Sequence, residues 1–419
     1  MDYDYYESVQ RSTNSILKHL QTIALCFYAF SLNIEFFDPF NSGGSFSFAK
    51  LAGLIYLFFI FLSFNKYFIL RKRIIYCLWP IWGVFLVMTI NGLAHINSLS
   101  SNFFDVAFFL NLIMIFVMIN HGIVDTKVLD LAMLSFAIGA AIISIFMFLG
   151  IGVEEIGQGR IKLIGTNINS LGIKLSIAFS ILMSFFYNDR LKFGVNRYWF
   201  VLAIPFLLTA IVQTGSRSAL LVMILTFLTM IFLFKGKNII KRIIFYLMAI
   251  ALFSLGIEFI LNSDVMMARL SSLAFEASER DGMGVRLDVW AVYIPLALEN
   301  PIIGLGKTGF EYEAIQLFGG VKSPHNVVLE IMLYSGIVGV ILFLFFIFKI
   351  MRCAFLAYRY SSNELPILLL PAIFVMVGAN QVLNIKVSWF LFAYIVVIYL
   401  KHFRLRVRKI SSNENTMYY

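Results

Sequence analysis

The chain has 419 residues, 60% of them hydrophobic and only 13% charged, with a mean hydropathy of +0.87. Surface-to-volume scaling gives no soluble core large enough to hide that much apolar surface, so an ordinary soluble domain is excluded and the bilayer becomes the solvent for most of the chain. The net charge of +10 comes from 33 Lys and Arg against 23 Asp and Glu; its placement in loops between apolar stretches points to membrane asymmetry and not to nucleic acid.

The apolar stretches carry no alternation and are too long for core strands, so they are read as spanning helices, which satisfy their own backbone in lipid. Taken in chain order, spans are predicted at 16–36, 48–64, 74–94, 103–119, 128–150, 168–187, 198–213, 218–235, 241–261, 326–349, 365–380 and 386–402. This is an all-α, polytopic reading with about twelve spans, each near the ~17–25 residues a bilayer requires. It divides the chain into 1–261 (nine spans), a long loop at 262–325, three further spans at 326–402 and a tail at 403–419. The first span follows polar residues through Ser15 and then Lys18, with no small-residue cleavage site, and reads as retained.

Basic residues fall in alternate connections: Lys66, Arg71, Lys72 and Arg73; Arg190, Lys192 and Arg197; Lys235, Lys237, Lys241 and Arg242; Lys349, Arg352 and Arg359; and the tail from Lys401 to Lys409. All lie on one side if both termini are cytoplasmic. Cys26, Cys77 and Cys353 are far apart and offer neither metal spacing nor a disulfide framework. No repeat is evident.

The loop at 262–325 is then extracytoplasmic. It is too rich in large apolar residues for disorder, and helix-like pieces near 264–277 and 284–299 are expected to lie against the outer leaflet. Against the positive-inside bias stand Arg160, Lys162, Lys174, Arg217, Arg269, Arg280, Arg286, Lys307 and Lys322. Any one of them reads equally well as a snorkelling or solvated side chain, but as a set they suit an anionic ligand. Lys174 lies about 10 Å down its span, and Glu258 and Glu330 lie near outer ends. A transporter is expected to show charges or broken helices at mid-depth.

Thr214-Gly215-Ser216-Arg217-Ser218 is a polar turn between two spans. With Ser216 or Ser218 as N-cap it aims backbone N–H groups and a guanidinium at one spot, as a phosphate requires; the alternative is an interfacial turn with an anchoring arginine. Lys322-Ser323-Pro324-His325-Asn326 precedes the tenth span, where a histidine can serve as general base or simply belong to a polar cap. Gly304-Leu305-Gly306-Lys307-Thr308-Gly309 fits a dinucleotide fingerprint by spelling only, since no strand precedes it. It reads as a tight turn after Pro301.

Arg160 with Gly165-Thr166-Asn167-Ile168-Asn169-Ser170-Leu171-Gly172, then Thr214 to Leu220, Arg286 with Trp290, Asn300-Pro301-Ile302-Ile303-Gly304-Leu305-Gly306, and His325-Asn326 with Gly336 and Gly339 resemble the O-antigen ligase and polymerase superfamily over residues 160–345. The resemblance implies a metal-independent, cofactor-free glycosyltransferase of the C-type membrane class in the bacterial inner membrane, with its active site outside the cytoplasm. Its donor would be a glycan on undecaprenyl diphosphate. Arg217, Arg286 and His325 would be catalytic. Arg160, Lys162, Asn167, Asn169, Lys174, Arg269, Trp290, Lys322, Asn326 and Glu330 would bind substrate, although Asn169 and Asn326 serve equally well as helix caps. Anionic membrane lipids, a chain-length regulator and a flippase are the other partners this reading allows. A polymerase of repeat units into O-antigen or capsular polysaccharide is the first reading, since Gly43-Gly44-Ser45 leading to Lys50 and the His325-Asn326 ending resemble polymerases more closely. An O-antigen ligase is the second, and a lipid-linked oligosaccharide flippase is the alternative from another class, with a non-catalytic scaffold behind it.

Overall fold

The computed structural model describes residues 15–35, 37–40, 47–94, 105–125, 127–156, 160–164, 166–187, 198–233, 283–379 and 383–416. Predicted span 241–261, the helix-like piece at 264–277, Gly43 to Ser45, Arg269 and Arg280 lie outside these residues.

The helices are α1 (Ser15–Ser31), α2 (Phe48–Phe61), α3 (Phe64–Tyr67), α4 (Lys72–Ala94), α5 (Val106–Val124), α6 (Val128–Phe148), α7 (Ile168–Tyr187), α8 (Tyr198–Gln213) and α9 (Arg217–Leu233). After residue 283 come α10 (Met283–Glu299), α11 (Gly306–Phe318), α12 (Val327–Ser361), α13 (Leu365–Leu368), α14 (Leu370–Ala379) and α15 (Lys386–Thr416). Among the described residues, 6 helices are long and apolar enough to cross a membrane, and α2, α9 and most of α8 and of the α13–α14 pair form shorter apolar helices. The protein is a mostly helical, multi-pass membrane protein.

Two features add to the helical reading, a short hairpin and a helix where the sequence reads as a tight turn. Strands β1 (Val153–Ile156) and β2 (Arg160–Leu163) form an antiparallel hairpin, pairing Glu154 with Lys162 and Ile156 with Arg160. Its short period-2 pattern is easily lost beside two spans, and positive φ at Gly150 and Gly152 turns the chain out of α6 into it. Helix α11 begins where the glycine-rich turn ends, buries Phe310 and Ala314 on one face, and stops at left-handed Gly319.

The chain packs as two compact units. The first comprises Met1–Ile69 and Phe116–Met267. In it α7 lies against α6, α8 and α9, and 94% of its apolar window is buried. Burial on all sides explains its serines, which face protein and not lipid. The Ser176 hydroxyl donates to Gly172 O and Ala219 O, both at 3.0 Å, and Ser180 meets Thr226 at 3.2 Å. A Cβ on Gly172 would fall 2.8 Å from Ala219 Cβ and 2.9 Å from Ser216 Cβ, so α7 and the start of α9 approach almost backbone to backbone.

The second unit comprises Leu70–Ile115 and Ala268–Tyr419, with α12 packed on α4, α10, α11, α14 and α15. Helix α12 is broken at Gly336, whose φ of 59° only glycine adopts easily. The segment after Asn300 fills the break. Ile337 N–H donates to Pro301 O (2.8 Å), Val338 N–H to Ile302 O (3.2 Å) and Leu305 N–H to Leu333 O (2.8 Å). From α4, the Asn91 amide donates to Ile303 O and, at 2.6 Å, to Gly304 O. The freed backbone groups are therefore satisfied inside protein, the condition for non-helical chain at membrane depth. The break lies about 14 Å along α12, a kind of interruption that the sequence reading associates with a transporter.

Candidate functional site

The described candidate residues form two assemblies, one in each unit. In the first, Arg160 at the head of β2 donates from Nε to Thr214 O at 3.0 Å and from Nη2 to Asn169 Oδ1 at 3.3 Å. It ties the polar turn to the start of α7. Asn167 caps α7, its Oδ1 accepting from Asn169 and Ser170 N–H, each at 3.1 Å. The turn is shaped by Gly215 at φ 58° and by Thr214, whose hydroxyl donates to Ile211 O at 2.6 Å. Ser216, not Ser218, closes α9: its Oγ accepts from Ala219 N–H at 3.3 Å. Arg217 is thereby the first helical residue, half-buried at the positive end of the α9 dipole.

Two other cations of this unit have internal carboxylate partners. Lys162 pairs with Glu154 across the hairpin at 3.0 Å. Lys174, expected to face the ligand, is 2% exposed and holds Glu35 at 3.1 Å inside the bundle. Glu35, near the outer end of the first predicted span, was the signal for that pairing.

In the second unit α10 organises the other assembly. Arg286, Trp290 and Tyr293 fall at i, i+4 and i+7, along one face of the helix. The Trp290 indole N–H donates to Pro324 O at 2.8 Å, and the Tyr293 hydroxyl donates to Lys322 O at 2.8 Å. These two bonds hold the main chain of the Lys322–His325 segment and leave the His325 side chain exposed. Lys322 lays its ammonium 4.7 Å from the Phe318 ring centre. His325 has φ 49°, left-handed for a residue with a side chain, and its N–H donates to Ser323 Oγ at 3.1 Å. Asn326 caps α12 by accepting from Val328 and Leu329 N–H at 2.9 and 3.2 Å.

His325 is held below its ordinary pKa, first by partial removal from water and second by the positive charge of Arg286. Neutral imidazole is the form able to accept a proton or a hydrogen bond. Glu330 sits one turn into α12 and is 1% exposed; Tyr334 reaches its Oε1 at 3.4 Å. Lys307 is ion-paired with Asp105 at 3.2 Å and lies 3.9 Å from Glu311. Thus Arg286, Trp290, Lys322, His325 and Asn326 gather at one end of the second unit, while Glu330 is withdrawn into packing. The anchoring roles of Arg160, Trp290 and Tyr293 were not legible from spacing.

The fold and these assemblies define a class: a multi-pass helical membrane protein with arginines and an exposed histidine at helix ends. Residues 200–344 match the family model described as O-antigen ligase. The match supports the O-antigen ligase and polymerase superfamily, whose members are membrane glycosyltransferase-like enzymes. It contains Arg217, Arg286 and His325 but begins after Arg160, Asn169 and Lys174. A search of the curated proteins finds no match to this chain.

Proposed function

We propose that this protein transfers a glycan from a polyprenyl-diphosphate carrier to an acceptor hydroxyl at the outer face of a bacterial inner membrane, with both termini in the cytoplasm. The observation that carries this reading is the α10 assembly: an exposed, conformationally constrained His325 within the field of Arg286, inside the segment that matches the O-antigen ligase family. The acceptor oxygen attacks the anomeric carbon as the bond to the diphosphate breaks, and its proton passes to His325 Nδ1 or Nε2. The bonding pair leaves with the diphosphate, whose growing negative charge an arginine stabilises by always-charged, bidentate contacts. Arg286 is assigned that role in the second unit. In the first unit, Arg217 on the α9 start is proposed as a phosphate-binding arginine, its turn held by Arg160 and Asn169.

Polymerisation of lipid-linked repeat units is the first reading of the acceptor, with the undecaprenyl carrier as donor. Transfer of a finished glycan to lipid A core is the second, favoured by the description of the matched family. Deletion read on a glycan gel separates them. Single repeat units on core mark a lost polymerase; bare core with accumulating lipid-linked polymer marks a lost ligase. The flippase reading gains some ground from the break in α12, and it predicts repeat units trapped at the cytoplasmic leaflet instead.

A further inference from the structure

Far along α12 from His325, the second unit contains a cavity of about 210 Å³ lined by residues including Tyr76, Cys77, Lys349, Arg352, Cys353 and Tyr399. Lys349 is 5% exposed, and its ammonium lies 3.3 Å from the Tyr76 ring centre and 4.9 Å from that of Phe345. Its described neighbours supply cation–π contacts, which offset part of the cost of removing an ammonium from water. No carboxylate lines the cavity among the described residues. Arg352 adds a second positive charge at the exposed edge. On α4, Arg73 lies one turn before Cys77, its guanidinium 4.3 Å from the Phe403 ring centre.

The walls identify the direction from which a ligand arrives. Tyr76, Phe345 and Phe348 line the cavity and are also among the exposed large apolar side chains of the bundle. A wall of that kind belongs against acyl chains, so the opening faces lipid more than bulk water. Lys349 is 23 positions beyond Asn326 on a broken helix, on the order of 30 Å away, comparable to the hydrocarbon thickness of a bilayer. The cavity therefore lies near the membrane face opposite to His325.

We propose that this cavity binds the phosphate of an anionic phospholipid, with Lys349 as the buried contact and Arg352 as the outer one, the acyl chains lying along Phe345 and Phe348. The site is separate from the glycan chemistry and does not depend on it. An anion here completes the charge balance that the protein leaves to aromatic rings.

The test uses the full-length protein in mild detergent, with bound lipid counted by native mass spectrometry and melting followed in parallel. Wild type is expected to retain phosphatidylglycerol over phosphatidylcholine, and Arg352→Gln to reduce that preference by about fivefold, the weight of one interfacial charge. Lys349→Gln should reduce it further, and Lys349→Arg should preserve it. Since Arg352 is exposed, its variant keeps the test valid if Lys349→Gln fails to fold. Unchanged preference in Arg352→Gln overturns the proposal. Inorganic phosphate is expected to leave the melting temperature unaltered; a rise equal to that from phosphatidylglycerol would overturn the lipid as source.

Discussion

The α9 start and the α10 assembly each present an arginine beside a capped helix, yet they are built differently. Around the α9 start the cations have internal partners: Arg160 is bonded to Thr214 and Asn169, Lys162 to Glu154, and Lys174 to Glu35. Around α10 the anchoring is done by an indole and a phenol on backbone carbonyls, while His325 stays exposed. The difference teaches that a surplus of basic residues on one face is not itself a binding site. Where neutral groups hold the backbone, as around α10, a titratable side chain such as His325 stays exposed to a ligand; Lys162 and Lys174 instead commit their charge to carboxylates of the fold.

The comparison breaks most visibly at His325. His325→Ala is expected to lower glycan transfer at least ~100-fold with expression intact, as loss of a general base does; equal rates in a lipid-linked substrate assay would remove the catalytic assignment. On the α9 side the large effect should be on stability. Lys174→Met removes the cation from a buried ion pair with Glu35, costing about 3–5 kcal/mol, with most recovered by adding Glu35→Gln, as thermal unfolding in detergent would show. Trp290→Phe keeps the ring and loses the bond to Pro324 O, so kcat should fall about tenfold with little change in KM.

A smaller effect sharpens the electrostatic side of the contrast. With its pKa depressed, His325 remains neutral to lower pH than an ordinary histidine, and activity is lost as pH falls through that lowered value. Removing the Arg286 charge by Arg286→Gln should move the His325 titration, followed by NMR of labelled histidine, to higher pH; burial keeps it from returning fully. The smallest effect is expected at Lys162→Ala, since a partly exposed ion pair contributes about 0–1 kcal/mol. Transfer activity should be unchanged there.

Hydropathy runs and helix punctuation made most described helix positions readable in the sequence, because apolar length is a local property: α7 and α8 start and end at the predicted residues. The break at Gly336 was not readable in that way. It exists because Pro301 and Ile302 accept, and Leu305 donates, bonds across 28 to 36 positions, which no local pattern records. The site shows the same division. Arg217, Arg286 and His325 stood out by residue type and turn context, whereas the bonds from Trp290, Tyr293 and Arg160 that position the surrounding chain are long-range. Lys174 was misleading for a related reason: a cation nearly two turns into a span resembles a ligand contact until Glu35, 139 positions away, is brought beside it.

The most direct measurement of the central claim is transfer by the purified full-length protein in proteoliposomes, supplied with a defined undecaprenyl-diphosphate-linked repeat unit. Longer lipid-linked glycans should form with wild type and with Lys162→Ala, and should be absent with His325→Ala and with Arg286→Ala while both variants remain folded. Product at the wild-type rate from those two variants would contradict the assignment of the α10 assembly to glycosyl transfer.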